Sequence, residues 1–277
     1  MKAQTQLRFD HKGEPQNSRG FAYNLARNSH WTVLISVGLA ILIWSLVNKW
    51  GNLPAFILPS PAAVWARFVQ VLLDGSLLRN TLVTLSEVLL GLFIGSVLAT
   101  LIGYSLAKSS TLERILSPYL VASQAVPTVA IAPLLVIWFG PGMSSKVIIC
   151  ALTVFFPILV NTIIGIQAVP ASLHDLMKSM RATRLQTLRF LEVPAALPVL
   201  FGGLRIGATL SVIGAVVGEF VGSDRGLGFM INVGRGQFDT ALVFVALFML
   251  ILMAVLLYSL AYAAERHVIR WKPNGNQ

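Results

Sequence analysis

Long apolar runs alternate with short polar segments along this sequence. A membrane-spanning helix needs about 20 consecutive, mainly apolar residues. Six segments approach or exceed that length: residues 30–50, 81–107, 118–139, 147–168, 195–221 and 241–264. The pattern therefore predicts an all-α integral membrane protein with six transmembrane helices.

The polar segments have distinct characters. Residues 1–29 and 266–277 are basic and are predicted to be tails, whereas residues 108–117 and the glycine-rich residues 222–238 are predicted to be loops. Residues 51–80 are too polar to span a membrane, but Ser60-Pro61 is typical of a helix start. Apolar residues follow at helical spacing: Val64, Trp65, Phe68, Val71 and Leu72. This predicts an amphipathic helix on the outer membrane surface, with an irregular loop as the alternative.

Glycines and prolines modify the predicted spans. Pro127 and Pro133 interrupt the third span, because proline lacks the backbone N–H that a helix uses. Pairs of glycines four residues apart permit close helix packing. They are Gly91 and Gly95, Gly203 and Gly207, and Gly214 and Gly218.

A polar loop, residues 170–194, separates the fourth and fifth spans. Ser172 with Asp175, and Thr183 with Gln186, have the spacing of capping boxes, which predicts two short helices joined near residues 181–183. The first helix carries an apolar stripe of Leu173, Leu176, Met177 and Met180. Such a stripe either binds in a groove of a partner protein or packs on its own chain.

Composition supports a membrane protein. The chain of 277 residues is 56% hydrophobic and 12% charged, whereas a soluble domain has about 25% charged residues. Its net charge of +10 comes from basic residues that flank apolar runs, which argues against nucleic-acid binding. With both termini inside, 14 Lys and Arg lie on inner segments and six, including Lys146, on outer ones. This predicts a multi-pass inner-membrane protein with both termini cytoplasmic.

The sequence shows no familiar catalytic motif. It contains no phosphate-binding G-x-x-x-x-G-K-[ST], no H-E-x-x-H and no G-x-S-x-G. The single cysteine, Cys150, lies within an apolar run. We therefore expect neither enzymatic activity nor a metal or cofactor bound by this chain.

Charged residues inside spans are costly and indicate function. Glu87 and Glu219 are predicted to lie at similar depth near the outer ends of their spans. Together with Gln124 and Asn161 they are candidates for a translocation pathway, with hydrogen bonding near span ends or between helices as the alternative. Arg205 is predicted to extend towards the inner surface.

The 170–194 loop resembles the cytoplasmic loop of ABC-importer permeases, the binding-protein-dependent type I family. The family motif is E-A-A, three residues, G, nine residues and I-x-L-P. Here Asp175-Leu176-Met177, Arg181 and Leu191-Glu192-Val193-Pro194 keep that register. The match extends over roughly residues 50–271 and is most like the nitrate, taurine, sulfonate and pyrimidine-precursor branch. Further matching segments are Ala195–Pro198, Gly203–Ile206, Gly218–Phe220, Gly226–Gly228, Glu265-Arg266 and Trp271.

The resemblance implies a permease domain over residues 81–265. The loop would be a coupling helix that docks on an ABC ATPase subunit, and that subunit would use ATP and Mg²⁺. It also implies a second, identical permease chain and a periplasmic or lipid-anchored solute-binding protein. The coupling residues would be Leu173, Asp175, Leu176, Met177, Met180, Arg181 and Pro194.

The sequence departs from the motif at its turn. Arg181 replaces the motif glycine, and Leu176-Met177 replace the alanine pair. If position 181 needs a positive φ, a non-glycine residue costs about 1 kcal/mol. Either the turn relaxes, or the partner ATPase has an altered groove.

Two other classes of protein compete with this interpretation. An ion-coupled secondary transporter would need midplane carboxylates and usually internal repeats, and the sequence shows neither. A membrane-embedded enzyme would need a nucleophile and base or a metal site. The expected function is therefore import of a small organic solute, such as a pyrimidine precursor, sulfonate, taurine or a nitrate-like anion.

Overall fold

The computed structural model describes residues 29–51 and 54–269, with side chains from residue 35 onward. The predicted tail over residues 1–29 therefore lies almost wholly outside the described residues, as does most of the tail over 266–277. The described chain forms two compact units, which divide between Ala63 and Val64. Every regular element within the described ranges is helical, which confirms the all-α prediction.

The first unit contains α1, Ser29–Gly51, which corresponds to the first predicted span. Two side chains of α1 bind the segment that follows it. Trp44 Nε1 donates to the Pro59 carbonyl at 3.1 Å, and Asn48 Nδ2 donates to the Leu58 carbonyl at 2.7 Å. These two bonds attach the backbone at residues 58–59 to α1.

The amphipathic helix is α2, Pro61–Leu73, and begins at the predicted proline. Val64 and Val71 are buried, whereas Trp65 is 67% and Leu72 is 47% exposed. The predicted apolar face therefore packs on protein at Val64 and Val71, is partly buried at Phe68, and is open at Trp65 and Leu72. Arg67 joins α2 to Asp239 at 2.8 Å, within the second unit.

The other helices all belong to the second unit. They are α3 Ser76–Ala107, α4 Ser110–Gln124, α5 Thr128–Phe139, α6 Met143–Gln167, α7 Ala171–Ser179, α8 Arg184–Thr187, α9 Val193–Gly222, α10 Leu227–Gly236 and α11 Thr240–Val268. A π-helical turn, Leu188–Glu192, joins α8 to α9. Within the described residues, four stretches are long and apolar enough to cross a membrane, namely α3, α6, α8 to α9, and α11.

The core is organised around α6, which packs between α3 and α9. Gly95 of α3 lies so close to α6 that a Cβ there would be 2.6 Å from the Ala151 carbonyl oxygen. On α9, a Cβ at Gly214 would be 2.9 Å from Cys150 Cα. The predicted glycine pairs therefore lie at close helix contacts, as their spacing indicates.

The third predicted span is two helices rather than one. α4 and α5 meet at an angle of 92°, with the break between Gln124 and Thr128. Pro127 has an extended backbone and is the N-cap of α5. Because a residue before proline avoids the helical region, α4 does not continue into α5 and the chain turns there. The predicted loop over residues 108–117 is also wrong, because Ser109 accepts a hydrogen bond from Leu112 N and caps a helix that starts at Ser110.

Candidate functional site

The apolar stripe of the 170–194 loop is exposed on α7. Leu173 is 40%, Leu176 is 54% and Met180 is 70% exposed, while Met177 is half-buried. No residue of α7 is buried, and its contacts with the other described helices are sparse. Of the two alternatives for this stripe, the structure therefore does not show packing on its own chain.

The predicted capping boxes had different outcomes. Thr183 N donates to Gln186 Oε1 at 2.7 Å and Gln186 N donates to Thr183 Oγ1 at 3.3 Å, which confirms the second box. The first box is wrong, because α7 follows Pro170 directly and has no side-chain cap. Pro170 takes the N-cap position, so the helix starts at Ala171, two residues before the start that a cap at Ser172 predicts. Asp175 instead pairs with Lys178 at 3.1 Å.

Arg181 occupies the left-handed position at the end of α7, with φ +52°. Its N–H donates to the Lys178 carbonyl at 2.9 Å, and the Ala182 N–H donates to the Met177 carbonyl at 2.9 Å. These two bonds form a Schellman motif, which glycine normally completes. The turn keeps the positive φ despite the Arg side chain, so it has not relaxed.

Glu192 anchors the loop from inside the protein and is 1% exposed. Its Oε2 accepts from the Tyr104 hydroxyl at 3.1 Å, and its Oε1 accepts from Lys108 Nζ. His174 Nε2 of α7 lies 3.3 Å from the same Oε1. One carboxylate thus joins the end of α3, the middle of α7 and the start of α9.

Sequence reasoning missed this role for Glu192. The available signal was an acidic residue at the start of an apolar run, on the same predicted side of the membrane as Lys108. A buried carboxylate needs a basic partner or several donors, and Lys108, the residue after α3, is a basic partner.

Glu219 binds the N-terminus of α10 at the opposite end of the bundle. It is fully buried and accepts from Gly228 N and, at 2.6 Å, from Thr84 Oγ1. Thr84 Oγ1 in turn accepts from Leu227 N at 2.8 Å. Residues 222–238, predicted to be a loop, therefore contain a helix whose first amides are held by side chains of α3 and α9.

Glu87 lies beside Glu219, as their similar depth predicts, and is 1% exposed. Lys146 is near both carboxylates, is 4% exposed and donates to the Pro141 carbonyl at 2.8 Å. The sequence predicts a tight turn over residues 140–146, but α6 already begins at Met143 and includes Lys146. Described residues enclose both carboxylates, and their part in a pathway stays a prediction.

Gln124 and Asn161 lie in different surroundings. Gln124 borders a cavity of about 230 Å³ at the break between α4 and α5. The other lining residues are Ser123, Val126, Thr128, Ile131, Leu152, Thr153, Phe156 and Pro157. Asn161 donates to the Pro157 carbonyl of its own helix at 2.7 Å and packs against Gly203.

Arg205 extends to the last turn of α11. Its Nε lies 3.3 Å from Glu265 Oε2 of α11, and its guanidinium lies 5.7 Å from the centre of the Tyr262 ring. An acidic partner and an aromatic face on the neighbouring helix hold the charge, and its extension towards the inner surface stays a prediction.

A family match identifies the class of protein to which this chain belongs. Residues 75–270 match the family model described as "Binding-protein-dependent transport system inner membrane component". The chain belongs to this family and is an ABC-importer permease subunit, multi-pass in the inner membrane. ATPase and solute-binding subunits are the general partners of this family.

Individual relatives extend this assignment. The chain is 48% identical over 238 residues to the riboflavin transport system permease protein RibX of Chloroflexus aurantiacus, covering 86% of this chain and 89% of that one. It is 35% identical to the formylaminopyrimidine transport permease protein ThiX of Halalkalibacterium halodurans, covering 84% and 93%. An inward-facing structure of the MetNI methionine ABC transporter shares the fold, with a TM-score of 0.62, 20% identity and coverage of 71% and 97%.

Proposed function

We propose that α7 is the coupling helix of this permease and docks in a groove of an ABC ATPase subunit. The observation that carries the proposal is the open apolar stripe of Leu173, Leu176 and Met180 on a helix with no buried residue. An amphipathic helix with such a stripe fits a hydrophobic groove. Because the chain belongs to an ABC-importer family, we assign this groove to the ATPase subunit.

Two copies of the chain would form the pathway, each docked on one ATPase subunit. Closure of the ATPase subunits around ATP would move both α7 helices, and the spans would rock between two states. A solute-binding protein would deliver solute at the α10 end. In this arrangement α7 and both chain termini face the cytoplasm.

We further propose that the solute is a small uncharged nitrogen heterocycle. The cavity at the α4–α5 break is lined by amide and hydroxyl groups beside Phe156, and no Lys or Arg is among its described lining residues. An anionic sulfonate would favour cationic partners. The relatives named for riboflavin and formylaminopyrimidine transport support the same class.

Substitutions on the stripe test the docking. Leu176→Asp or Met177→Glu places a charge at the proposed contact, and we expect uptake to be abolished with membrane insertion intact. Ala171→Asp is the matched control, because it adds a charge on the opposite, exposed face of α7. The assay is uptake of labelled riboflavin, a formylaminopyrimidine or taurine by proteoliposomes with the ATPase and binding protein.

Two results would contradict these proposals separately. Normal uptake by Leu176→Asp would rule out α7 as the docking element. Uptake of taurine in preference to both heterocycles would overturn the solute class and leave the docking intact.

A further inference from the structure

We propose that Glu192 is the positioning residue that transmits movement of α7 to the membrane helices. This inference rests on the proposed docking of α7 and concerns what happens after docking. Transmission requires a defined contact between α7 and the membrane helices, and the structure shows such a contact at Glu192.

Glu192 is placed for this role by its position in the chain and by its burial. It ends the π-helical turn that leads into α9, and it is enclosed by protein at 1% exposure. A buried carboxylate exchanges its bonding partners at high energetic cost, since each lost partner leaves charge unpaired. Elements that share it therefore move together.

The partners of Glu192 come from two further elements. Tyr104 and Lys108 belong to the last turn of α3 and the residue after it, and both donate to the carboxylate. His174 lies in the middle of α7, on the side away from Leu176. Because an ionised carboxylate only accepts, the His174 Nε2–H is the donor across the 3.3 Å contact.

The rest of α7 offers little alternative attachment. Its contacts with other described helices are sparse, and the Asp175–Lys178 pair lies within α7 itself. Short hinges at residues 168–170 and 180–183 connect it to α6 and α8. A push on the stripe would therefore reach α3 and α9 through the His174–Glu192 contact, and without that contact α7 would move on its hinges.

The test is the number of solute molecules imported per ATP hydrolysed by the assembled transporter. The probe is whichever of riboflavin, formylaminopyrimidine and taurine the unmodified transporter imports fastest. His174→Ala places a good helix former at a half-buried surface position, so we expect the protein to fold and to bind the ATPase. We expect hydrolysis to continue while the import ratio falls about tenfold, the size of a typical coupling between sites.

Conservative and paired variants separate transmission from simple loss of structure. His174→Gln retains a donor and is expected to restore most of the ratio. Glu192→Met combined with Lys108→Met removes the carboxylate acceptor together with its Lys partner, so neither charge of the pair is left unpaired, and its ratio is expected to fall as in His174→Ala. Glu113→Gln is the matched carboxylate control, because Glu113 accepts from Gln167 at 2.6 Å at an exposed site and does not touch α7.

The outcomes distinguish the two proposals. An unchanged import ratio in His174→Ala, or in the paired variant, would overturn the role of Glu192 while docking stands. Failure of the unmodified chain to bind its ATPase would refute the docking, and the transmission with it.

Discussion

Replacing Arg181 by glycine should stabilise the end of α7. Arg181 has φ +52°, and a non-glycine residue in the left-handed region costs about 1–2 kcal/mol. Glycine loses more backbone entropy on ordering, which takes back about 0.5–1 kcal/mol. The difference spans about 0–1.5 kcal/mol, and the middle of that range, about 0.5–1 kcal/mol, is equivalent to about a two- to fivefold shift in the local opening equilibrium.

Hydrogen exchange of the two amides that close the turn measures this shift. Arg181 N and Ala182 N donate to the Lys178 and Met177 carbonyls, so their protection reports opening of the Schellman motif. We expect the amide of Ala182 to exchange about two- to fivefold more slowly in Arg181→Gly. The amide of Gln186, bound to Thr183, lies in the next helix and serves as the internal reference.

Arg181→Ala is the matched control for this prediction. Alanine removes the guanidinium but keeps the Cβ that creates the strain, so the exchange rate should stay as in the unmodified chain. Equal or faster exchange of Ala182 in Arg181→Gly would show that residue 181 carries no strain. Slower exchange in both variants would instead assign the effect to the Arg side chain.

Three further substitutions test the packing. Gly95→Val should destabilise by about 1–3 kcal/mol, because a Cβ there would lie 2.5 Å from Val154 Cγ2. Gly38→Ala, at a helix position with open space, should not destabilise in the same thermal unfolding assay. Glu219→Ala should speed amide exchange of Gly228, whose N–H then lacks its acceptor. It should also lower the free energy of unfolding by about 1–3 kcal/mol for each donor left unpaired. Unchanged exchange of Gly228 would contradict the role of Glu219 in holding α10. Arg205→Gln combined with Glu265→Gln should show a double-mutant coupling of about 0.5–3 kcal/mol, and additive effects would contradict their pairing.

The features predictable from the sequence were those with a repeating physical pattern. Apolar run length gave α3, α6, α9 and α11 to within a few residues, because the membrane imposes that length. The stripe of α7 and the Thr183 capping box followed from helical spacing. Glycine spacing located the contacts of α6 with α3 and α9.

The missed features depend on partners far apart in the chain. Glu192 gains its role from Tyr104 and His174, which sequence spacing does not bring together. The pairing of Arg205 with Glu265 requires knowing that α9 lies beside α11. The helix at α10 forms where glycines predict a loop, since Thr84 and Glu219 supply acceptors for its first amides.

The break between α4 and α5 was only half predictable. From the sequence alone, Pro127 and Pro133 are equally expected to interrupt a helix, because both lack the backbone N–H. The chain bends by 92° just before Thr128, but α5 continues through Pro133. Tertiary packing around each proline decides whether the helix stops or continues.

Chemical labelling of α7 is a direct test of its docking on the ATPase. Leu176→Cys adds a thiol at a position that is 54% exposed, whereas the native Cys150 is fully buried. A membrane-impermeant maleimide should therefore label the thiol introduced at position 176 rapidly in the permease alone, in detergent. Bound ATPase should protect that thiol and leave one introduced by Ala171→Cys on the opposite face reactive. Equal labelling of the Leu176→Cys variant with and without the ATPase would contradict docking through α7.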